Sequence, residues 1–259
     1  MATTWRCFGQ RVGLVAPASF QQMMDFLVPS TLWKRCEGDS DKVWTVVRRD
    51  SRVWVETCGE VLGEWQDELE AARATRSCIE LWAAEKSKEY VTVHAAVLAY
   101  NDGAIVLPGR SGIGKSTLAL ALICAGATYY SDEFAVFNRR AEVIPYPRPV
   151  TVRRMKADGQ IGVRHFAPSR LGAVVGQQPL FVKVIAHIPF DSGLEALEAE
   201  EQAPALGALC LIENSVAARS QPQAVLEVAV RAASEARTLQ GKRGPSEQAA
   251  QFLLRYMTE

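Results

Sequence analysis

The sequence predicts an α/β protein: a glycine-loop core on a mixed β-sheet, with a small α+β annex before it and a helical tail after it. Three observations carry that reading. The apolar run Ala104-Ile105-Val106-Leu107 leads into Gly109-Arg110-Ser111-Gly112-Ile113-Gly114-Lys115-Ser116, and a stretch of helical composition follows. All six tryptophans lie in the first 82 residues, so residues 1–88 and 89–259 pack by different means. After residue 203 the apolar spacing is mostly that of helices.

Within the annex, residues 5–16 read as a strand and residues 20–28 as a helix with Ser19 as its N-cap. Residues 43–48 and 52–57 alternate apolar and polar side chains around Arg49-Asp50-Ser51, which predicts a hairpin. A long helix is expected over residues 64–87. In the core, residues 90–100 form a buried strand, and Asn101-Asp102-Gly103 turns the chain into the strand before the glycine loop. A helix follows from Lys115 to about Ala125, with Gly126 free to take the left-handed conformation that ends it. Residues 127–131 form the next strand, and residues 134–137 and 142–144 a hairpin. Pro145, Pro147 and Pro149 break regular structure, and residues 156–179 read as a long loop. That loop, with Arg164, His165 and Arg170, is a candidate acceptor-side flap. Residues 180–189 are a strand, the acidic run 195–201 a solvated helical face or loop, and residues 203–218, 222–236 and 246–257 helices.

With 259 residues the chain can bury one large core and an annex. A formal net charge of zero gives no general attraction to nucleic acid or to anionic lipid. No apolar stretch reaches the roughly 18 residues of a membrane span, and the first residues lack a signal-peptide pattern, so a cytoplasmic location is expected. None of the six cysteines forms a Cys-x-x-Cys pair, which removes a zinc cluster and points to reduced thiols.

The glycine run meets the pattern Gly-x4-Gly-Lys-Ser in full, between the strand and the helix that pattern needs. Gly109, Gly112 and Gly114 let the backbone turn its N–H groups inward, and the helix start adds positive potential, so phosphate oxygens are cradled there. Lys115 reaches the β- and γ-phosphates, and Ser116 offers a hydroxyl to Mg²⁺. Ser111, Ile113 and Thr117 belong to the same nucleotide-holding stretch. The expected cofactors are ATP and Mg²⁺.

Asp132 follows Lys115 by only 17 residues. One helix and one strand fill that interval, so the strand should run parallel to residues 104–107 and end at the loop's edge of the sheet. Asp132 and Glu133 then reach the phosphates and the metal. One carboxylate can ligate Mg²⁺ and the other can take a proton from an attacking hydroxyl. His94 alone reads as a core histidine, as do His165 and His187.

Taken in order, Val93-His94-Ala95-Ala96-Val97, the loop from Gly109 to Ser116, and Tyr130-Ser131-Asp132-Glu133 resemble the catalytic domain of HPr kinase/phosphorylase. The short distance from loop to acidic pair is the specific part of the match. The resemblance spans about residues 90–153, and residues 1–88 do not share in it. It implies an HPr kinase-like P-loop core in residues 89–259 that transfers the γ-phosphoryl group of ATP to a serine-like hydroxyl on a peptide, protein or small molecule. By position it implies Asp132 as general base, Lys115 on the β-phosphate, Ser116 on magnesium, and His94 beside the phosphates. Thr117 stands where that family has Glu, and Glu133 where it has Asp. A non-transferring ATP-binding module with a protein partner, and a hydrolytic or carboxykinase-like enzyme, remain open alternatives, as does a homo-oligomer.

Overall fold

The computed structural model describes residues 2–155 and 161–258. The chain folds as a mixed α/β protein in two compact units, Met1–Glu89 and Tyr90–Glu259. The first unit carries strands β1 (Ala2–Cys7), β2 (Gln10–Val15), β3 (Trp33–Arg35), β4 (Lys42–Arg49), β5 (Arg52–Thr57) and β6 (Glu60–Trp65) in one sheet of order β3-β1-β2-β4-β5-β6. Helices α1 (Ala18–Leu27) and α2 (Glu68–Lys86) pack with it. Trp5, Trp44, Phe8, Phe20 and Ile79 are buried in its core. Trp5 meets Trp33 edge-on at 6.2 Å, and Trp44 meets Trp82 at 5.5 Å.

Three expectations in this unit are corrected. Residues 5–16 are not one strand: Phe8 and Gly9 both take positive φ and close a two-residue hairpin between Cys7 and Gln10. The long helix begins later, after β6. Cys58 and Gly59 make another tight turn of positive φ, and Asp67 caps α2 by accepting from the Glu70 N–H. Ser19 lies inside α1, whose N-cap is Pro17; its hydroxyl donates to Glu68 instead.

The second unit is built on a mixed sheet of order β11-β10-β7-β8-β14-β16-β15, with β9 also paired to β7. Its elements are β7 (Val91–Tyr100), β8 (Gly103–Pro108), α3 (Lys115–Cys124), β9 (Thr128–Ser131), β10 (Phe134–Phe137), β11 (Glu142–Ile144), β12 (Val150–Met155), β13 (Ile161–Phe166), β14 (Leu180–His187), β15 (Leu197–Gln202), α4 (Pro204–Glu213), α5 (Pro222–Ser234), β16 (Arg237–Arg243) and α6 (Ser246–Tyr256). Strand alternation sends Val93, Ala95 and Val97 of β7 into one core with α4 and α5. Ala96 and Leu98 enter the other core, with α3 and α6. Asn101 and Asp102 take the positive φ of the expected turn, and Gly126 (φ 99°) ends α3.

The loop expected over residues 156–179 is replaced in part by structure. β13 pairs antiparallel with β12 from Met155↔Ile161 to Val150↔Phe166, and a 3₁₀ turn follows at Pro168–Leu171. Residues 156–160 of that expected flap lie outside the described residues. The helical tail is also interrupted. β16 pairs parallel to β14, and the acidic run becomes strand β15 beside it.

Candidate active site

Strands β8, β14 and β16 run parallel, so their C-terminal ends share one edge of the sheet. The glycine loop leaves β8 at that edge. Gly114 (φ 93°) opens α3, and Gly112 has the same φ. Gly109 takes φ 145°, a backbone conformation that favours glycine, and a Cβ there would also displace the Ile113 side chain. Lys115 is buried and donates from Nζ to the carbonyls of Gly109 (2.6 Å) and Arg110 (2.8 Å). An ammonium turned onto its own loop marks the place where anionic oxygens would replace those carbonyls. Ser116 is half-buried and Thr117 exposed on the first turn of α3.

The loop is braced from behind by a residue the sequence reading missed. Arg243, at the end of β16, is 1% exposed. Its guanidinium donates to the Gly114 carbonyl (2.8 Å), the Gly244 carbonyl (3.0 Å) and Ser246 Oγ (3.0 Å). Burial holds its pKa below the usual arginine range. The Phe190 N–H donates to the Ile113 carbonyl (3.0 Å) and completes the brace. His187 Nδ1 lies 3.1 Å from the Pro108 carbonyl, so this histidine secures the start of the loop.

The acidic pair reaches the same place by another route. β9 is parallel in direction to β8 as expected, but β7 lies between them. Ser131 is opposite Val97 and Phe134 opposite His94, so β9 and β10 are one line along β7, broken at Asp132 and Glu133. The Ala95 N–H donates to the Glu133 carbonyl (3.0 Å) across that break. Ser131 Oγ accepts from the Phe134 N–H at 3.1 Å and fixes the bend.

β7 links the two arms through His94. Its backbone carbonyl accepts from the Gly109 N–H at 3.1 Å. Its Nδ1 lies 2.9 Å from the Glu133 carbonyl, which can only accept, so Nδ1 carries the proton and Nε2 the lone pair. Burial lowers the His94 pKa, and the nearby Lys115 and Arg148 charges lower it further against the carbonyl and charge of Glu133. The ring is therefore neutral at neutral pH. By strand parity His94 shares the face of Ala96 and Leu98, where α3 lies.

Asp132 is 5% exposed, and the Tyr129 hydroxyl stands 3.2 Å from its Oδ1. The same hydroxyl lies 2.9 Å from the Arg148 carbonyl. Burial, then the Asp132 charge, raises the Tyr129 pKa well above its ordinary value, so the phenol keeps its proton. Glu133 is half-exposed and pairs with Arg148 Nη1 at 2.9 Å. That contact is a pairing of charges and not an aligned hydrogen bond. The Arg148 guanidinium stands 5.3 Å from the Phe134 ring centre.

The structure thus brings together around one strand the loop, Lys115, His94, Asp132 and Glu133. Sequence reasoning missed Tyr129, Arg148 and Arg243. Arg148 had one readable signal: it is a lone charge between Pro147 and Pro149. Among the described residues no three His, Cys, Asp or Glu converge on a metal position. The oxygen donors present, a serine hydroxyl and two carboxylates, suit a hard ion such as Mg²⁺ that shares its coordination with phosphate.

No family model matches the chain. No curated protein matches it either. The structure of the Hpr(Ser) kinase/phosphatase from Coxiella burnetii is similar to it, with 17% identity and a TM-score of 0.34 over 64% of this chain and 95% of that one. That is a distant structural relationship and no more.

Proposed function

We propose that the second unit is an ATP-dependent kinase that transfers a γ-phosphoryl group to a serine-like hydroxyl on a peptide, protein or small molecule. The observation that carries this reading is the bend at Asp132, where a buried carboxylate sits across β7 from the glycine loop.

In this reading the loop N–H groups and Lys115 bind the β- and γ-phosphate oxygens, with Lys115 exchanging its loop carbonyls for them. Ser116 and Glu133, with Asp132 beside them, would hold Mg²⁺, which supplies charge neutralisation on the phosphates when bound. Asp132 takes the proton from the acceptor hydroxyl as its oxygen bonds to the γ-phosphorus and the bond to the ADP oxygen breaks. Tyr129 orients that carboxylate. Neutral His94 adds no positive charge of its own beside Lys115 and Arg148.

The test is mass spectrometry of the full chain with ATP, Mg²⁺ and a panel of serine peptides and small alcohols. A gain of one phosphate on an acceptor, with ADP formed in equal amount, is expected. Tight ATP binding with neither transfer nor hydrolysis across the panel would favour a nucleotide-sensing module instead.

A further inference from the structure

We propose that Phe190 is the platform on which the base of the bound nucleotide stacks. The proposal deepens the kinase reading above and rests on it for the direction in which the nucleotide lies.

The loop offers phosphate oxygens its N–H groups, Lys115 and Ser116, and none of these recognises a base. A base presents a flat π face, and an aromatic side chain beside the phosphates is its simplest partner. Strand order says on which side such a partner belongs. β8 lies between β7 and β14. Asp132 and Glu133 stand on the β7 side, so in the kinase reading the transferred phosphoryl group lies there too. The nucleoside is at the other end of the triphosphate and leaves toward the ends of β14 and β16. Among the described residues two phenylalanines of the second unit are exposed, Phe181 and Phe190. Phe181 is at the start of β14, at the sheet edge away from the loop. Phe190, 52% exposed, follows the end of β14 at the loop's own edge.

Phe190 is fixed by its backbone and not by burial of its ring. Its N–H donates to the Ile113 carbonyl at 3.0 Å. Its Cβ stands 3.1 Å from the place a Cβ on Gly114 would take, so it lies directly against the loop. The residues beside it are tied to β16. The Arg243 N–H donates to the Pro189 carbonyl (3.0 Å), and the Asp191 N–H donates to the Arg243 carbonyl (2.9 Å). The Asp191 carboxylate accepts from the Gly193 N–H and from Lys242 Nζ, each at 2.9 Å. The Arg243 guanidinium stands over the ring, 5.4 Å from its centre. A ring held at its backbone, backed by a cation and open to water beside the loop loses little freedom when a base covers it.

The test compares two probes on the full chain with Mg²⁺, ATP and inorganic tripolyphosphate, by titration calorimetry. Tripolyphosphate has the phosphates and no base. In Phe190→Ala the affinity for ATP should fall by about 5- to 150-fold, the worth of one base–aromatic stack. Tripolyphosphate should stay within about twofold of wild type, because the substitution keeps the N–H that braces the loop. Phe190→Leu, which leaves apolar bulk over Arg243, reads the same contrast if the alanine variant does not fold. Phe190→Trp should hold ATP at least as well as wild type. Its emission, added to that of the six tryptophans of the first unit, should be quenched by ATP and not by tripolyphosphate. Unchanged ATP affinity in the alanine and leucine variants would overturn the platform, and so would an equal fall for both probes. A wild type that binds neither probe would overturn the platform and the kinase reading together. A wild type that binds ATP and transfers nothing would sink the kinase reading alone, and the contrast between the probes would still judge Phe190.

Discussion

The glycine loop and the acidic bend are both backed by a buried arginine, yet the two arginines work differently. Arg243 donates to two carbonyls and a hydroxyl, all neutral and all part of the fold's own backbone or helix start. Nothing that binds the loop competes for those acceptors. Arg148 pairs with a carboxylate that is half in water and is itself a ligand candidate. The donor side of the site is thus set by the fold, and the acid side is set by charges that can be exchanged. Neutral braces give a fixed geometry, and ionic ones give a geometry that responds to cations.

On the donor side, removing the loop's own charge should have the largest effect. Lys115→Ala should lower kcat/KM by roughly 10²–10³-fold, the usual loss for one preorganised donor to a charged transition state, checked with ATP as the varied substrate. An effect below tenfold would mean that the loop amides bind the phosphates without it.

The two braces come next. Arg243→Met removes three hydrogen bonds from a charged donor, at about 1.5–3 kcal/mol each before water, and the Leu118 N–H that the Gly114 carbonyl keeps, relieve part of the loss. A net loss of about 3 kcal/mol would lower the melting temperature of the second unit by roughly 6–12 °C. Arg148→Met leaves behind a carboxylate that faces solvent, so its shift should be less than half as large. Differential scanning calorimetry of both variants tests the contrast directly, and equal shifts would erase it.

Tyr129→Phe should cost about 0.5–1.5 kcal/mol by removing one buried hydroxyl contact. Its expected signature is a lower kcat with KM for ATP unchanged, because Tyr129 touches Asp132 and not the loop.

The smallest effect is in pH. Folding depresses the His94 pKa, so the unfolded chain binds the proton more readily. Stability from this residue is fully present above the unfolded value of about 6.5 and is lost as pH falls through it toward the folded value. His94→Gln should therefore show a shallower fall in melting temperature between about pH 6.5 and 5 than the wild type. An identical slope would mean that another group carries the dependence.

Much of the fold is written in local pattern. The loop, the turn at Asn101-Asp102, the end of α3 at Gly126 and the hairpin of β4 and β5 each depend on residues adjacent in sequence. The misses share a cause. Phe8-Gly9 and Cys58-Gly59 turn the chain with a first residue that is no turn former, and tertiary pairing imposes the conformation. β15 has the composition of a helix, Leu-Glu-Ala-Glu-Glu-Gln, and becomes an edge strand because β16 offers a ladder. Arg148 and Arg243 lie 33 and 128 residues from Lys115, so no spacing in the sequence points from them to the loop.

Asp132→Asn is the variant that tests the central claim most directly. Asparagine keeps the size and the contact with Tyr129 but cannot take a proton. With an acceptor in hand, phosphoryl transfer should fall by roughly 10²–10⁴-fold, the range of a general base, while binding of a fluorescent ATP analogue stays within about twofold of wild type, since a factor of two is only about 0.4 kcal/mol. Transfer at the wild-type rate would show that Asp132 is not the base, and the account of this site would fail with it.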